Sequence, residues 1–285
     1  MSKIIYIGRV KAMNISDFFD VKDKTIVITG GAGIICSEMA RTLGSLGANI
    51  VVLDLSESAM EKLSKELSEK NIKHIVLKTN VLEKEQLLKA KEETILNFGK
   101  IDVLINGAGG NHPSATTSQD KSFFELPQDA VQWVFNLNFL GTFLASQVFG
   151  EYFAEKGEGQ IINISSMNAF RPLTNIPAYS AAKAAVSNFT QWLAVHMNHN
   201  YSKKIRVNAV APGFLLTNQN KFLLTNDDGS LTTRGNKILE HTPMERFGTP
   251  QDLISTILWL ISEKSSFVNG IVVPIDGGFS AYSGV

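Results

Sequence analysis

Tyr179 and Lys183 stand four residues apart at the start of a segment with helical periodicity, which places both side chains on one face, one above the other. A neutral phenol with an ordinary pKa of about 10 is a poor base near neutrality, and a lysine ammonium beside it favours the phenolate and lowers that pKa. The pair therefore reads as acid–base chemistry, against the plainer alternative of a surface contact that steadies a helix. Ser166, thirteen residues before Tyr179, follows the apolar run Ile161-Ile-Asn-Ile-Ser165, and Asn138 lies in the helical segment before it. A second constellation sits near the other end. Gly30, Gly31 and Gly33 follow the run Thr25-Ile-Val-Ile-Thr29 and open a helical segment, where unpaired N–H groups and the helix dipole favour a phosphate. In the G-x-G-x-x-G pattern, Gly31 and Gly33 match and Cys36 stands at the third glycine. An ordinary glycine-rich turn is the alternative.

Asp54 ends the next apolar run, 21 residues after Gly33, where a carboxylate accepts hydrogen bonds from both ribose hydroxyls of NAD and repels the 2′-phosphate of NADP. No Arg or Lys occurs between Leu53 and Met60. The residues favour NAD(H) over NADP(H); a cap on the following helix is the other use of Asp54, although Ser56 can do that.

These groups need a scaffold, and the pattern describes one. Strands are expected at Thr25 to Thr29, Asn49 to Leu53, His74 to Val81, Ile101 to Asn106, Gln160 to Ser165, Ile205 to Val210 and Ile271 to Ile275. Helical spacing runs from Cys36 to Leu46, through Met60, Leu63 and Leu67, through Leu87, Leu88, Ile95 and Leu96, then about Ala130 to Phe153, Ala178 to His199 and Leu253 to Ile261. Short Val/Ile-rich runs alternating with helices predict one α/β domain, a doubly wound parallel sheet of the Rossmann type, over 21–285. The polar stretch about 214–242 reads as a lid. Residues 1–20 form a leader whose apolar patch, Ile4 to Ile7, is followed at once by Arg9 and Lys11, unlike a signal peptide or anchor.

Ser166, Tyr179-x-x-x-Lys183 and the upstream Asn138, taken in order, resemble the short-chain dehydrogenase/reductase family from about Val21 onward. Asn106-Gly-Ala-Gly109 looks like the family's Asn-Asn-Ala-Gly turn, with Gly107 in the second place and Ala108 in the third. Asn80-Val81 stands where Asp-Val packs on adenine, Pro212-Gly213 with Thr217 resembles the segment holding the nicotinamide carboxamide, and Asp276-Gly-Gly278 matches the carboxyl-terminal turn. The usual turn, Thr-Gly-x-x-x-Gly-x-Gly, is altered: Thr29-Gly-Gly-Ala-Gly-Ile-Ile-Cys36 puts Ile34 and Cys36 at the last two glycines, with Ile35 between them. The resemblance implies that Tyr179 gives a proton to a carbonyl oxygen, Lys183 supports it and holds the nicotinamide ribose, Ser166 binds the substrate oxygen, and Asn138 positions a relaying water. Ser165 is then a supporting residue. The Gly107-Ala-Gly-Gly-Asn-His-Pro113, Ser165-Ser-Met-Asn-Ala-Phe170 and terminal Gly278-Phe-Ser-Ala-Tyr-Ser-Gly-Val285 runs look like the subgroup regarded as D-mannonate oxidoreductases, which implies NAD-dependent interconversion of D-fructuronate and D-mannonate.

The residues alone leave the substrate more open. Asn111, His112, Asn168, Arg171 and Gln219 are polar groups placed for a hydroxyl-rich substrate, and a guanidinium such as Arg171 can pair a carboxylate bidentately. They would suit 5-keto-gluconate or another polyol equally, or be solvated loop residues. A 3-oxoacyl thioester and a non-catalytic NAD-binding module remain alternatives. Phe143, Phe149, Phe153, Phe189, Trp192, Leu193 and Val195 exceed what lone helix faces need, and in this family those helices join subunits, implying a homodimer or homotetramer; core packing is the other reading. His196 and His199 have no Cys or carboxylate cluster beside them, so no metal site is expected.

Composition narrows the class. With 44% hydrophobic and 19% charged residues, the 285-residue chain can bury a large core. Twenty-seven Lys and Arg balance 27 Asp and Glu, so nothing in the net charge points to nucleic acid or an anionic membrane. No apolar run nears the roughly 18 residues that span a bilayer. The single cysteine, Cys36, suits a reducing compartment, and the cytoplasm is expected.

Overall fold

The computed structural model describes residues 19–217 and 221–284; the leader up to residue 18 lies outside them. Seven parallel strands, β1 (Thr25–Thr29), β2 (Asn49–Asp54), β3 (His74–Lys78), β4 (Val103–Asn106), β5 (Gly159–Ile164), β6 (Ile205–Pro212) and β7 (Val272–Ile275), form one sheet in the order β3-β2-β1-β4-β5-β6-β7. Between them run α1 (Ile34–Ser45), α2 (Glu57–Glu69), α3 (Lys84–Phe98), α4 (Gln128–Phe135), α5 (Gly141–Lys156), α6 (Pro177–Asn200), α7 (Lys221–Leu224), α8 (Thr233–Glu240) and α9 (Ile254–Ile261). This is the doubly wound α/β architecture expected, and its order reverses between β1 and β4, where ligands of such sheets bind.

Strand alternation divides the core into two layers. Ile26, Ile28, Ile50 and Val52 meet Met39, Leu43, Met60, Leu63, Ile257 and Leu260 on one face. Val27, Val51, Leu53 and Leu104 meet Leu87, Phe149, Phe153 and Leu193 on the other. Phe149 and Phe153 are fully buried, so they belong to the core and not to an intersubunit face. Helix ends follow local chemistry: Ser56 accepts the Ala59 N–H at the start of α2, and Gly99, with φ of 74°, ends α3.

Three expectations are corrected. The strand expected to reach Val81 stops at Lys78, because Asn80 Oδ1 accepts the Leu82 N–H and turns the chain. The helix expected from Ala130 to Phe153 is interrupted by a π-turn at Asn136–Leu140, one residue wider than α-helical pitch. No helix was expected in the polar stretch about 214–242, which contains α7 and α8, the latter capped by the Thr232 hydroxyl accepting from Gly235 N–H.

Candidate functional site

At the sheet's switch point lies a cavity of about 490 Å³. Its floor begins with the turn after β1. Gly30 has a φ of 61°, and a Cβ there would stand 2.8 Å from the Ala108 backbone, so the crossing of this turn over the one after β4 requires glycine. The Thr29 hydroxyl accepts both Gly107 N–H at 3.1 Å and Ala108 N–H at 3.2 Å, tying the two turns together. A methyl group on Gly107 would overlap the Cys36 sulfur. The cysteine that replaces a family glycine and the glycine that replaces a family asparagine are thus packed against each other.

Gly30, Gly33, Ile35, Asp54, Asn80, Val81, Ala108, Ser166, Tyr179, Pro212, Gly213 and Thr217 all line the cavity. Gly31 lies behind it, its N–H donating to Leu53 O. The Asp54 carboxylate accepts Ala32 N–H at 3.0 Å on one oxygen and the N–H groups of Leu55 and Ser56 on the other. Ser56 caps α2, leaving Asp54 at the cavity wall. Asn106 stands below, donating to Ser146 Oγ at 3.0 Å and Asn163 Oδ1 at 2.8 Å, a buried network that fixes the end of β4.

The far wall carries the acid–base candidates. Ser166 closes the turn after β5 and hydrogen-bonds Tyr179, while Ser165, which also lines the cavity, binds Lys183 O and Ser187 Oγ. Lys183 is buried; its Nζ donates to Ile164 O at 2.8 Å and stands 5.6 Å from the Tyr179 ring centroid. Burial pulls its pKa down to about 8. For the Tyr179 phenol, burial pushes the pKa up and the Ser166 hydrogen bond pulls it down. The Lys183 ammonium faces the Tyr179 ring and is bound to the Ile164 carbonyl.

Asn138, at the centre of the π-turn, is fully buried and clamps the chain after β4. Its amide donates to Gly110 O at 2.7 Å and Val134 O at 2.8 Å, and its oxygen accepts Gly110 N–H at 3.1 Å. Both amide hydrogens are engaged, so only acceptor capacity is left for the relay water expected there.

Four of the five substrate candidates, Asn111, His112, Asn168 and Arg171, stand outside this cavity. Asn111 is exposed and donates to Thr116 Oγ1. His112 packs edge-on against Trp133. Asn168 is buried beside Ser166 with an unpartnered Oδ1. Exposed Arg171 donates through Nε to Ser280 O at 3.1 Å, joining the serine turn to the carboxyl-terminal segment. That segment is anchored by Phe279 against Phe214 and His241. Gln219 lies outside the described residues. Thr29, Cys36, Thr79, Leu137 and Phe214 contribute to the site without having been singled out for it; the position of Cys36 at a missing glycine was the one signal available.

The arrangement can hold an extended dinucleotide: glycine turns admit a pyrophosphate, Asp54 offers a carboxylate at one end, and Ser166 and Tyr179 stand at the other. Among the described residues no group of three His, Cys, Asp or Glu side chains could hold a metal ion, and no helix is long and apolar enough to cross a membrane.

Comparison with known proteins agrees with this geometry. The family model described as short chain dehydrogenase matches residues 24–228. An oxidoreductase of Haemophilus influenzae, itself named as uncharacterised, is 50% identical over 285 residues, covering 96% of this chain and 99% of that one. A 5-keto-D-gluconate 5-reductase of Escherichia coli K12 is 34% identical over 266 residues, covering 92% and 98%. A crystal structure from Haemophilus influenzae, provisionally named a D-mannonate oxidoreductase and solved with bound NAD, superposes with a TM-score of 0.89 at 49% identity, covering 95% of this chain and 100% of that one.

Proposed function

The chain belongs to the short chain dehydrogenase family, and we propose that it is an NAD(H)-dependent oxidoreductase interconverting a keto sugar acid and its hydroxy form, with D-fructuronate and D-mannonate as the pair. The observation that carries the reaction class is the single cavity in which the glycine turn and Asp54 share walls with Ser166 and Tyr179. The polar residues Asn111, His112, Asn168 and Arg171 and the provisional name of the 49% identical structure support the substrate. Asp54, with no cation beside it before Met60, supports NAD over NADP.

When bound, NADH supplies the two electrons that reduce the carbonyl carbon. The protein's groups handle the oxygen. Ser166 donates a hydrogen bond to the substrate carbonyl, and Tyr179 transfers its hydroxyl proton to that oxygen as negative charge develops there. Lys183, anchored on Ile164 O, holds the nicotinamide ribose, and Asn138 holds Gly110 in place. Arg171 keeps its guanidinium plane through Ser280 O and turns its remaining N–H groups to the substrate carboxylate. In the proposed organisation residues 21–285 form the catalytic domain, with a lid over about 214–242, and copies assemble into a homodimer or homotetramer in the cytoplasm.

The test follows NADH oxidation with D-fructuronate, 5-keto-D-gluconate and a 3-oxoacyl thioester, with NADPH in parallel. Fast, NADH-selective turnover of fructuronate is expected. Tyr179→Phe is expected to lose about 10²–10⁴-fold in kcat while a fluorescence titration still shows NADH binding. Full activity in that variant would sink the mechanism, and preference for 5-keto-D-gluconate would redirect the substrate.

A further inference from the structure

His112 opens the short 3₁₀ turn Pro113–Ala115, and the Ser114 backbone N–H donates to its Nδ1 at 3.1 Å. A ring nitrogen that accepts is unprotonated, so the neutral imidazole carries its proton on Nε2. The ring meets Trp133 edge-on, with centroids 5.2 Å apart and planes at 63°. Backbone and neighbour thus set both tautomer and ring plane, and Nε2 has no hydrogen-bond partner among the described residues.

The chain fixes where this donor stands. A Cβ on Gly109 would lie 3.1 Å from Lys183 Nζ, and Gly110 is held on both backbone groups by Asn138. Three further residues reach at most about 11 Å, so the His112 backbone is within that distance of the Lys183 ammonium's neighbour. Trp133, its support, precedes Val134, against whose cluster Tyr179 packs. A half-buried, oriented donor therefore stands outside the dinucleotide cavity, no more than three residues of chain from the Gly109 that touches Lys183.

We infer that His112 determines substrate specificity: its Nε2–H binds a hydroxyl or carboxylate oxygen of a polar substrate, other than the carbonyl oxygen held by Ser166 and Tyr179. This rests on the sugar-acid reading above. A site built around a fixed donor rejects a substrate lacking the matching oxygen, because the donor is then desolvated without a partner.

Two substitutions separate the ring's two nitrogens. Asparagine keeps an acceptor near Nδ1 for Ser114 and lacks the distal donor; glutamine carries an N–H out toward the place of Nε2. Steady-state kinetics with NADH use the best polyhydroxy keto acid of the panel, and thermal unfolding of each variant is recorded alongside. His112→Asn is expected to raise KM at least tenfold, with the loss falling on KM more than on kcat and the melting temperature held; His112→Gln is expected to recover most of it. An unchanged KM in His112→Asn, on a substrate the wild type reduces, overturns the inference and leaves the proposed function standing. Equal losses in both variants overturn it too, since they mark ring packing on Trp133. If the wild type reduces no polyhydroxy acid, the underlying reading fails and the inference with it.

Discussion

Lys183 and Tyr179 are both placed where burial opposes their charged forms. For Lys183, held down to about 8 from an ordinary 10.5, the consequence for stability has a definite sign. Below pH 8 the ammonium is protonated in both folded and unfolded chains, and its desolvation weighs on the fold in full. Between 8 and 10.5 the unfolded chain holds a proton that the folded one has released, so stability rises with pH. Tyr179, raised above its ordinary value, acts the other way, but only beyond pH of about 10. From pH 7.5 to 9.5, wild type is expected to gain about 2 kcal/mol relative to Lys183→Met in urea unfolding of the cofactor-free protein. Parallel pH profiles for the two would show that the ammonium is not desolvated. The residue types of this pair, with Ser166, were legible because their spacing follows from one helix and one strand end. Their partners were not: that Lys183 would donate to Ile164 O depends on how α6 lies over β5, which no local pattern encodes.

At the scale of elements, the turns after β1 and β4 behave as one unit, joined by the Thr29 hydroxyl and by Cys36 against Gly107. Gly107→Ala is expected to cost about 1–3 kcal/mol by overpacking against the sulfur. Adding Cys36→Gly should return much of that, giving a coupling energy of roughly 0.5 kcal/mol or more in a double-mutant cycle of urea unfolding; strict additivity would separate the two turns. Each departure from the family pattern was visible in the sequence, but their contact joins positions 71 residues apart. Strands and long helices were readable, since continuous apolar runs and 3.6-residue spacing follow directly from two-sided burial. The π-turn at Asn138 was not, because Asn136 to Leu140 contains no glycine or proline to mark an extra residue in the turn. The helices α7 and α8 were hidden by the polar, Asn- and Gly-rich composition around them.

Across the whole molecule, α5 and α6 leave an aromatic face: Phe143, Phe189, Trp192, His196 and Tyr201 line a groove, with Trp192 stacked on His196 and 55% exposed. An apolar face of this kind suits a second copy of the chain. Under the proposed assembly, Trp192→Asp is expected to shift sedimentation toward monomer while far-ultraviolet circular dichroism stays native; an unchanged sedimentation coefficient would count against this face as a subunit contact. Sequence had marked these two helices but could not sort Phe149 and Phe153, which face the sheet, from Trp192, which does not. The cavity, finally, draws its walls from Gly30 through to Thr217, and its last wall follows β6, the penultimate strand. A chain still emerging from the ribosome therefore has glycine turns but no completed pocket. Because a ligand stabilises only the state that binds it, a bound dinucleotide reaches its full stabilising effect only after the polypeptide through Thr217, about three quarters of the chain, has been made.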